Sequence, residues 1–268
     1  MRDERLEWLL NCAKRLTGNA STPVSMRPIL SGFRIALEKR VDPKSRHGAA
    51  KVRRDRNGAY CVSLIRRTDH PVRLSARERF SLAHELGHIL LDQRFEWHPA
   101  EGKEYYMCEE FCDIFAAHLL VPELVLNGLV ISTCKQANET LTMIVSQCHV
   151  SREVAARRLV ETYGGLGYFE GVQSTNADGA TVIALDWGTS SIENLRLTRF
   201  MHLTADDQLG KLLLTSQKSA DWLEPKQSFL PGIGIVGGSV LNRNYKVSII
   251  SLGPPAVLLK KRLSMVKE

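Results

Sequence analysis

The sequence predicts an α+β chain whose chemistry lies in its first half. Three observations carry this prediction. Ser75 to Leu91 has the cap and apolar spacing of a helix with one buried side, and it contains His84-Glu85-Leu86-Gly87-His88. A second helical pattern, Met107 to Leu120, follows soon after and stops at Pro122. Beyond Gly167 the chain changes to strand-like runs with one helical pattern among them. With 268 residues the chain is long enough to bury a core without disulfides.

Taken from the start, residues 4 to 16 place Leu6, Leu9, Leu10 and Leu16 on one side of a short helix. Asn19 to Pro28 is a turn-rich connector, Ile29 to Leu37 begins a mixed segment, and Gly48 to Ala50 marks a loop. Gly58-Ala59 opens a strand, Tyr60 to Ile65, rich in β-favouring residues.

Ser75 and Glu78 then form a capping box, and Phe80, Leu82, Ala83, Leu86, Ile89 and Leu90 follow with no proline between them. Residues four apart on a helix share a face, about one turn up. His84 and His88 can therefore aim both imidazoles at one tetrahedral cation, as zinc requires. Glu85, roughly 100° round from His84, stands beside that cation. A general base sits there to take a proton from water. Two solvated histidines on a surface helix would be the bland alternative, but the capped amphipathic setting favours the metal.

A catalytic zinc needs a third protein ligand. Glu109 and Asp113 lie four apart in the second helix, so one carboxylate can bind metal while the other accepts a hydrogen bond from a ligand imidazole. Glu110 points elsewhere and is the alternative third ligand. Carboxylates near a helix start are also favoured by the helix dipole alone. Cys108 and Cys112 flank Glu109, and either thiolate is a candidate to occupy the open zinc position and hold the site off. A small buried residue is the plainer reading of each. Tyr105 and Tyr106, just before this helix pattern, are candidate oxyanion partners.

Arg79 to Leu91 (RFSLAHELGHILL) followed by Glu109 to Pro122 (EEFCDIFAAHLLVP) resembles the ImmA/IrrE family of bacterial metallopeptidases. The family shares an A-H-E-L-G-H helix and then E-x-x-A-N/D-x-F-A-x-x-L-L-x-P. Setting Phe115-Ala116 on its F-A pair puts Asp113 at the N/D position and Glu109 at the metal-binding glutamate. Cys112 stands where Ala is usual and Val121 where Met is frequent. His118 falls at a variable position and is not made a ligand. The likeness covers residues 25 to 125 most clearly and extends more weakly to 160.

The resemblance implies a zincin-like metallopeptidase core over residues 1–126, holding Zn2+, with Mn2+ as the alternative. It implies a helix-turn-helix-like segment over 127–165 and a C-terminal α/β GAF-like sensor domain over 166–268. It further implies cleavage of a helix-turn-helix repressor that derepresses stress or phage-defence genes, with single-stranded DNA as an activating partner. In such peptidases an edge strand beside the zinc helix holds extended substrate, and Tyr60 to Ile65 is the candidate for that role. A non-catalytic regulator that binds DNA or a partner through these later segments is the alternative, against which an intact Glu85 argues.

After Pro122, residues 123 to 136 read as loop and short helix. Asn138 to Glu161 reads as two helices around Cys148 to Ser151, with Ser151 as N-cap and with Arg152, Arg157 and Arg158 compatible with DNA contact. Tyr163 to Gly167 is a linker by composition. Thr181 to Leu185 and Leu195 to Leu203 are strand-like, and Asp207 to Ser216 is helical in pattern. Pro231 to Gly238 is a glycine-rich turn, not a phosphate loop, since it has no lysine. Ser239 to Leu241 and Lys246 to Ser251 form a hairpin, and Ala256 to Lys260 is a last strand.

Charge is uneven. Arg27 to Arg73 holds thirteen Lys or Arg against four acids, a local +9 that exceeds the whole chain's +7. Lys51, Arg53, Arg54 and Arg56 are the candidate nucleic-acid surface within it. Asp92 to Glu110, with six acids and two bases, is net −4. The charged N-terminus, six cysteines without a C-x-x-C pair and no apolar run of membrane-spanning length predict a cytoplasmic protein with no membrane partner.

Overall fold

The computed structural model describes residues 3–18, 21–42, 49–66, 74–164, 166–191, 202–203, 222–223, 236–241 and 246–252. It is a mixed helix and sheet chain in two compact units. Met1–Asn127 with Met143–Ala155 makes the first, and Gly128–Thr142 with Ala156–Glu268 makes the second.

The first unit begins with α1 (Glu4–Thr17), capped where the Asp3 carboxylate accepts the Arg5 N–H at 2.9 Å. A short α2 (Met26–Gly32) leads into β1 (Ala36–Val41), β2 (Ala49–Arg54) and β3 (Tyr60–Arg66). These strands form one sheet in the order β1-β3-β2, with β1 parallel and β2 antiparallel to β3. Cys61 to Leu64 are all buried, the pattern of a central strand covered on both faces. The strand expected to receive extended substrate is therefore already paired on both sides, and the sheet edges are β1 and β2. The sequence reading missed β2 because its Lys51, Arg53 and Arg54 look like a basic loop. Charge on an edge strand is how proteins discourage further pairing. The β2–β3 turn is set by Asp55, whose carboxylate accepts the Asn57 and Ala59 N–H groups at 2.8 Å each, and by Gly58 at φ +81.

Helix α3 (Ala76–Phe95) opens with the expected capping box: Ser75 Oγ accepts the Glu78 N–H at 3.2 Å, and Glu78 Oε2 accepts the Ser75 N–H at 2.7 Å. It runs one turn past Leu91, to where Phe95 packs edge-on against Trp8 with ring centroids 5.5 Å apart. Helix α4 (Gly102–Leu120) starts before Met107, so Tyr105 and Tyr106 lie on it rather than ahead of it. A single turn, α5 (Glu123–Leu126), follows Pro122. The two long helices pack against each other, and Leu82 and Leu86 of α3 and Phe115 and Leu119 of α4 are fully buried. At Gly87 α3 lies close against α4. A Cβ there would lie 3.1 Å from Cys112 Sγ and 3.2 Å from Phe115 Cδ1.

Helix α6 (Cys134–Cys148) and helix α7 (Arg152–Thr162) are joined by a short turn in which His149 has φ 51 and Ser151 Oγ accepts the Val154 N–H at 3.3 Å. Arg158, one of the arginines considered for DNA contact, is buried and pairs with Glu161 at 2.8 Å. That removes it from any DNA-facing role. Tyr163 to Gly167 is not a loose linker: Tyr163 is buried, its hydroxyl donates to the Leu129 carbonyl at 2.9 Å, and a strand starts at Leu166.

The second unit is built on one sheet of six antiparallel strands in the order β6-β5-β4-β9-β8-β7. They are β4 (Leu166–Thr175), β5 (Thr181–Ser190), β6 (His202–Leu203), β7 (Trp222–Leu223), β8 (Val236–Leu241) and β9 (Lys246–Leu252). The expected hairpin over 239–251 is β8 with β9, and β8 takes in Gly237-Gly238, read from sequence as part of a turn. Asp207 to Ser216, Ala256 to Lys260 and most of Leu195 to Leu203 lie outside the described residues.

Candidate metal centre

Helices α3 and α4 bring together three donors that the sequence separates. His84 Nε2 and His88 Nε2 are 3.0 Å apart, as the one-turn spacing on α3 requires. Across from them, Glu109 on α4 places Oε2 3.4 Å from His84 Nε2 and Oε1 3.2 Å from His88 Nε2. Zinc bonds of about 2.0–2.2 Å imply donor separations of about 3.3–3.6 Å in a tetrahedron. The observed triangle is close to that. Two imidazole nitrogens and a carboxylate at these separations are a donor set that fits a divalent metal. All three side chains are partly exposed, leaving an approach from solvent.

Residues 74–160 match the peptidase M78 family, described as the IrrE N-terminal-like domain. This match supports an ImmA/IrrE-type metallopeptidase domain in that segment. No curated protein matches the chain.

Around the triangle, this ImmA/IrrE domain holds its candidate ligands from behind. His84 Nδ1 lies 2.9 Å from Asp113 Oδ1, so the ring presents Nε2 to the metal position while the carboxylate fixes its tilt. Glu110, the alternative third ligand, is exposed and belongs to neither candidate metal-donor group among the described residues. Glu85, between the histidines in sequence, turns toward the sheet, where its Oε2 accepts the Val52 N–H of β2 at 2.9 Å. Burial pushes the Glu85 carboxyl upward, against the Val52 N–H and the two histidines, with Glu109 adding to the rise. A carboxylate raised in this way is a stronger base than an exposed one. Val52 could not have been found from sequence, because β2 was not.

The other expected residues fall into two groups. Tyr105 is one turn before Glu109 on the same helix, and the Glu109 charge, with partial burial, pushes its hydroxyl pKa upward. Tyr106 is 73% exposed and faces solvent. Cys108 and Cys112 are both buried, but not at the metal position. Cys108 Sγ is 3.5 Å from His88 Nδ1, the ring nitrogen turned away from Glu109, and Cys112 packs on Gly87. Cys108 Sγ thus meets the Nδ1 side of the His88 ring, whereas Nε2 meets Glu109. Of the basic residues, Arg53 pairs with Glu38, and Arg54 lies 3.8 Å from Asp92. Lys51 and Arg56 are exposed and carry no ion pair among the described residues.

Proposed function

We propose that this chain is a metal-dependent endopeptidase that cleaves a helix-turn-helix transcriptional repressor, with single-stranded DNA as its activating ligand. One observation carries the peptidase reading: His84, His88 and Glu109 converge on one point, with the Glu85 carboxyl near enough to feel the charges of all three. A divalent ion, Zn2+ or Mn2+, bound there would supply Lewis acidity toward water and the scissile carbonyl. The chain's own residues do the rest. His84, His88 and Glu109 hold the ion, and Asp113 keeps the His84 ring in place. Glu85 takes the proton from the attacking water and delivers it to the leaving amine. Tyr105 reaches the same face and stabilises developing negative charge on the substrate.

The edge strand β2 supports a binding mode for an extended peptide. Because the Val52 N–H donates to Glu85, it points away from β3 and into the site. A substrate strand laid along β2 gains backbone hydrogen bonds where the candidate base is held. The single antiparallel sheet of the second unit, with its first and last strands adjacent at the centre, supports a GAF-like sensor role for that region.

The test is incubation with helix-turn-helix proteins encoded near this gene, with Zn2+ or Mn2+, and with or without single-stranded DNA. Defined fragments are expected from one of them and are lost in Glu85→Gln, which keeps shape but removes the base. If every such protein stays intact while the chain holds stoichiometric metal, the peptidase reading fails in favour of a binding regulator.

A further inference from the structure

His88 has two chemically different neighbourhoods. Its Nε2 faces His84 and Glu109, whereas its Nδ1 faces sulfur: Cys108 Sγ at 3.5 Å, with Cys112 Sγ completing a group whose donor atoms all lie within 4.8 Å of one another. We propose that His88 Nδ1, Cys108 Sγ and Cys112 Sγ form a second, soft-donor metal site that takes a thiophilic monovalent ion of the Cu+ class.

The geometry fits a metal at least as well as a hydrogen bond. Bonds of about 2.3 Å to sulfur and about 2.0 Å to nitrogen imply an S···N separation of about 3.5–3.7 Å, and 3.5 Å is what Cys108 and His88 show. The cysteines are one helical turn apart on α4, so both thiols reach one point on the α3 side. Gly87 leaves room for this reach, since a Cβ there would crowd Cys112 Sγ at 3.1 Å.

Donor type and burial choose the ion. Two thiolates and an imidazole are a soft set, whereas the neighbouring two imidazoles and carboxylate suit a borderline divalent ion. Cys108 is 1% and Cys112 0% exposed, and the group contains three donors and no fourth among the described residues. Zn2+ favours four ligands. A monovalent d10 ion is content with three and loses less on entering a dry site. Binding releases the two S–H protons to solvent and uses the lone pair of His88 Nδ1, so the one N–H of the neutral ring sits on Nε2, facing Glu109. A cation on Nδ1 also repels one on Nε2 of the same ring. Occupancy of the sulfur site therefore weakens the divalent centre, a coupling that rests on the peptidase reading, whereas the sulfur site itself does not.

The experiment titrates the full chain with Cu+ under anaerobic conditions against a chromophoric Cu+ chelator, in wild type and in Cys108→Ser/Cys112→Ser. X-ray absorption is recorded on the wild type at one equivalent. One tight equivalent is expected, at least tenfold tighter than in the double variant, with two sulfurs and one nitrogen around the copper. A coordination shell without two sulfurs, or no tight equivalent in the wild type, overturns the site without any appeal to variants. Equal affinity in a double variant that keeps the wild-type circular dichroism also overturns it, by assigning the copper to other thiols. The coupling is read separately, as at least a tenfold loss of divalent-metal affinity in the Cu+-loaded chain. A chain that binds Cu+ through two sulfurs and one nitrogen but holds no divalent ion would refute the peptidase reading and leave the sulfur site standing.

Discussion

At His84, one ring nitrogen belongs to the metal position and the other to Asp113, 2.9 Å away. The carboxylate does two things: it selects the tautomer that leaves Nε2 able to bind, and it stops the ring rotating off the His88–Glu109 side. Asp113→Ala is expected to weaken divalent-metal affinity about 10–100-fold, read by competition with a chromophoric chelator. An unchanged affinity would leave Asp113 no positioning role. Gly87 is set by packing rather than by chemistry. Its Cβ would meet Cys112 Sγ, Cys112 Cα and Phe115 Cδ1 at 3.1–3.2 Å, all of them atoms of fully buried residues in the α4 interior. Gly87→Ala gains helix propensity, but the crowding should dominate and cost about 1–3 kcal/mol, measured by urea denaturation. Stabilisation would mean that α3 and α4 separate more readily than their packing implies.

Among the elements, α3 is tied to the sheet at its first turn. Glu78 closes the capping box and also accepts Arg66 Nε at 2.6 Å, with both side chains about nine-tenths buried. Burial pushes the Glu78 carboxyl upward, but the Ser75 N–H and the Arg66 guanidinium outweigh it and hold the pKa below its ordinary value. A carboxyl with a depressed folded pKa contributes stability that is complete above its unfolded pKa, about 4.3, and is lost as pH falls through the folded one. Glu78→Gln should therefore cost about 2–3 kcal/mol at pH 7, and the gap to wild type should close as pH drops below about 4. Denaturation midpoints at both pH values decide it. β2 bears a different expectation. Val52→Pro removes the N–H that Glu85 accepts; Val52 lies opposite Val62 of β3, but this N–H goes to Glu85 rather than into the ladder, and an edge strand tolerates proline at such a position. If β2 seats substrate, kcat/KM for the proposed cleavage falls about 10–100-fold with metal content unchanged. These elements also show what sequence can carry. The capping box of α3 was legible because Ser75 and Glu78 are local partners. The triangle of donors was legible because helical spacing fixes which side chains share a face. β2 was hidden, since an edge strand made of charged residues has the letters of a loop. The contact of Cys108 with His88 Nδ1 depends on how two helices turn toward each other, which no local pattern encodes.

For the whole molecule, the charge map and the ion-pair map must be read together. The chain carries +7 overall and +9 between Arg27 and Arg73. Part of that excess is already spent within the fold, because Glu38 takes Arg53 and lies 3.6 Å from Arg40, while Asp92 faces Arg54. A nucleic acid approaching this region would displace those carboxylates to reach the arginines, but it would meet Lys51 and Arg56 directly. Counterion release gives a salt slope of about 0.7 per single-stranded phosphate neutralised. Lys51→Glu with Arg56→Glu should therefore lower the slope of log affinity against log salt by about 1.4, and weaken binding similarly across sequences. Arg53→Glu should change the slope less, since Glu38 already offsets that charge. Fluorescence anisotropy with a single-stranded oligonucleotide between about 50 and 200 mM salt gives both slopes. A slope unmoved by the Lys51 and Arg56 reversals would take this surface out of any nucleic-acid role. In the variant, basal cleavage without DNA should persist while DNA stimulation falls, because neither residue reaches His84, His88, Glu109 or Glu85. Loss of both together would mean that the reversals disturbed β2, and with it the Val52 contact to Glu85.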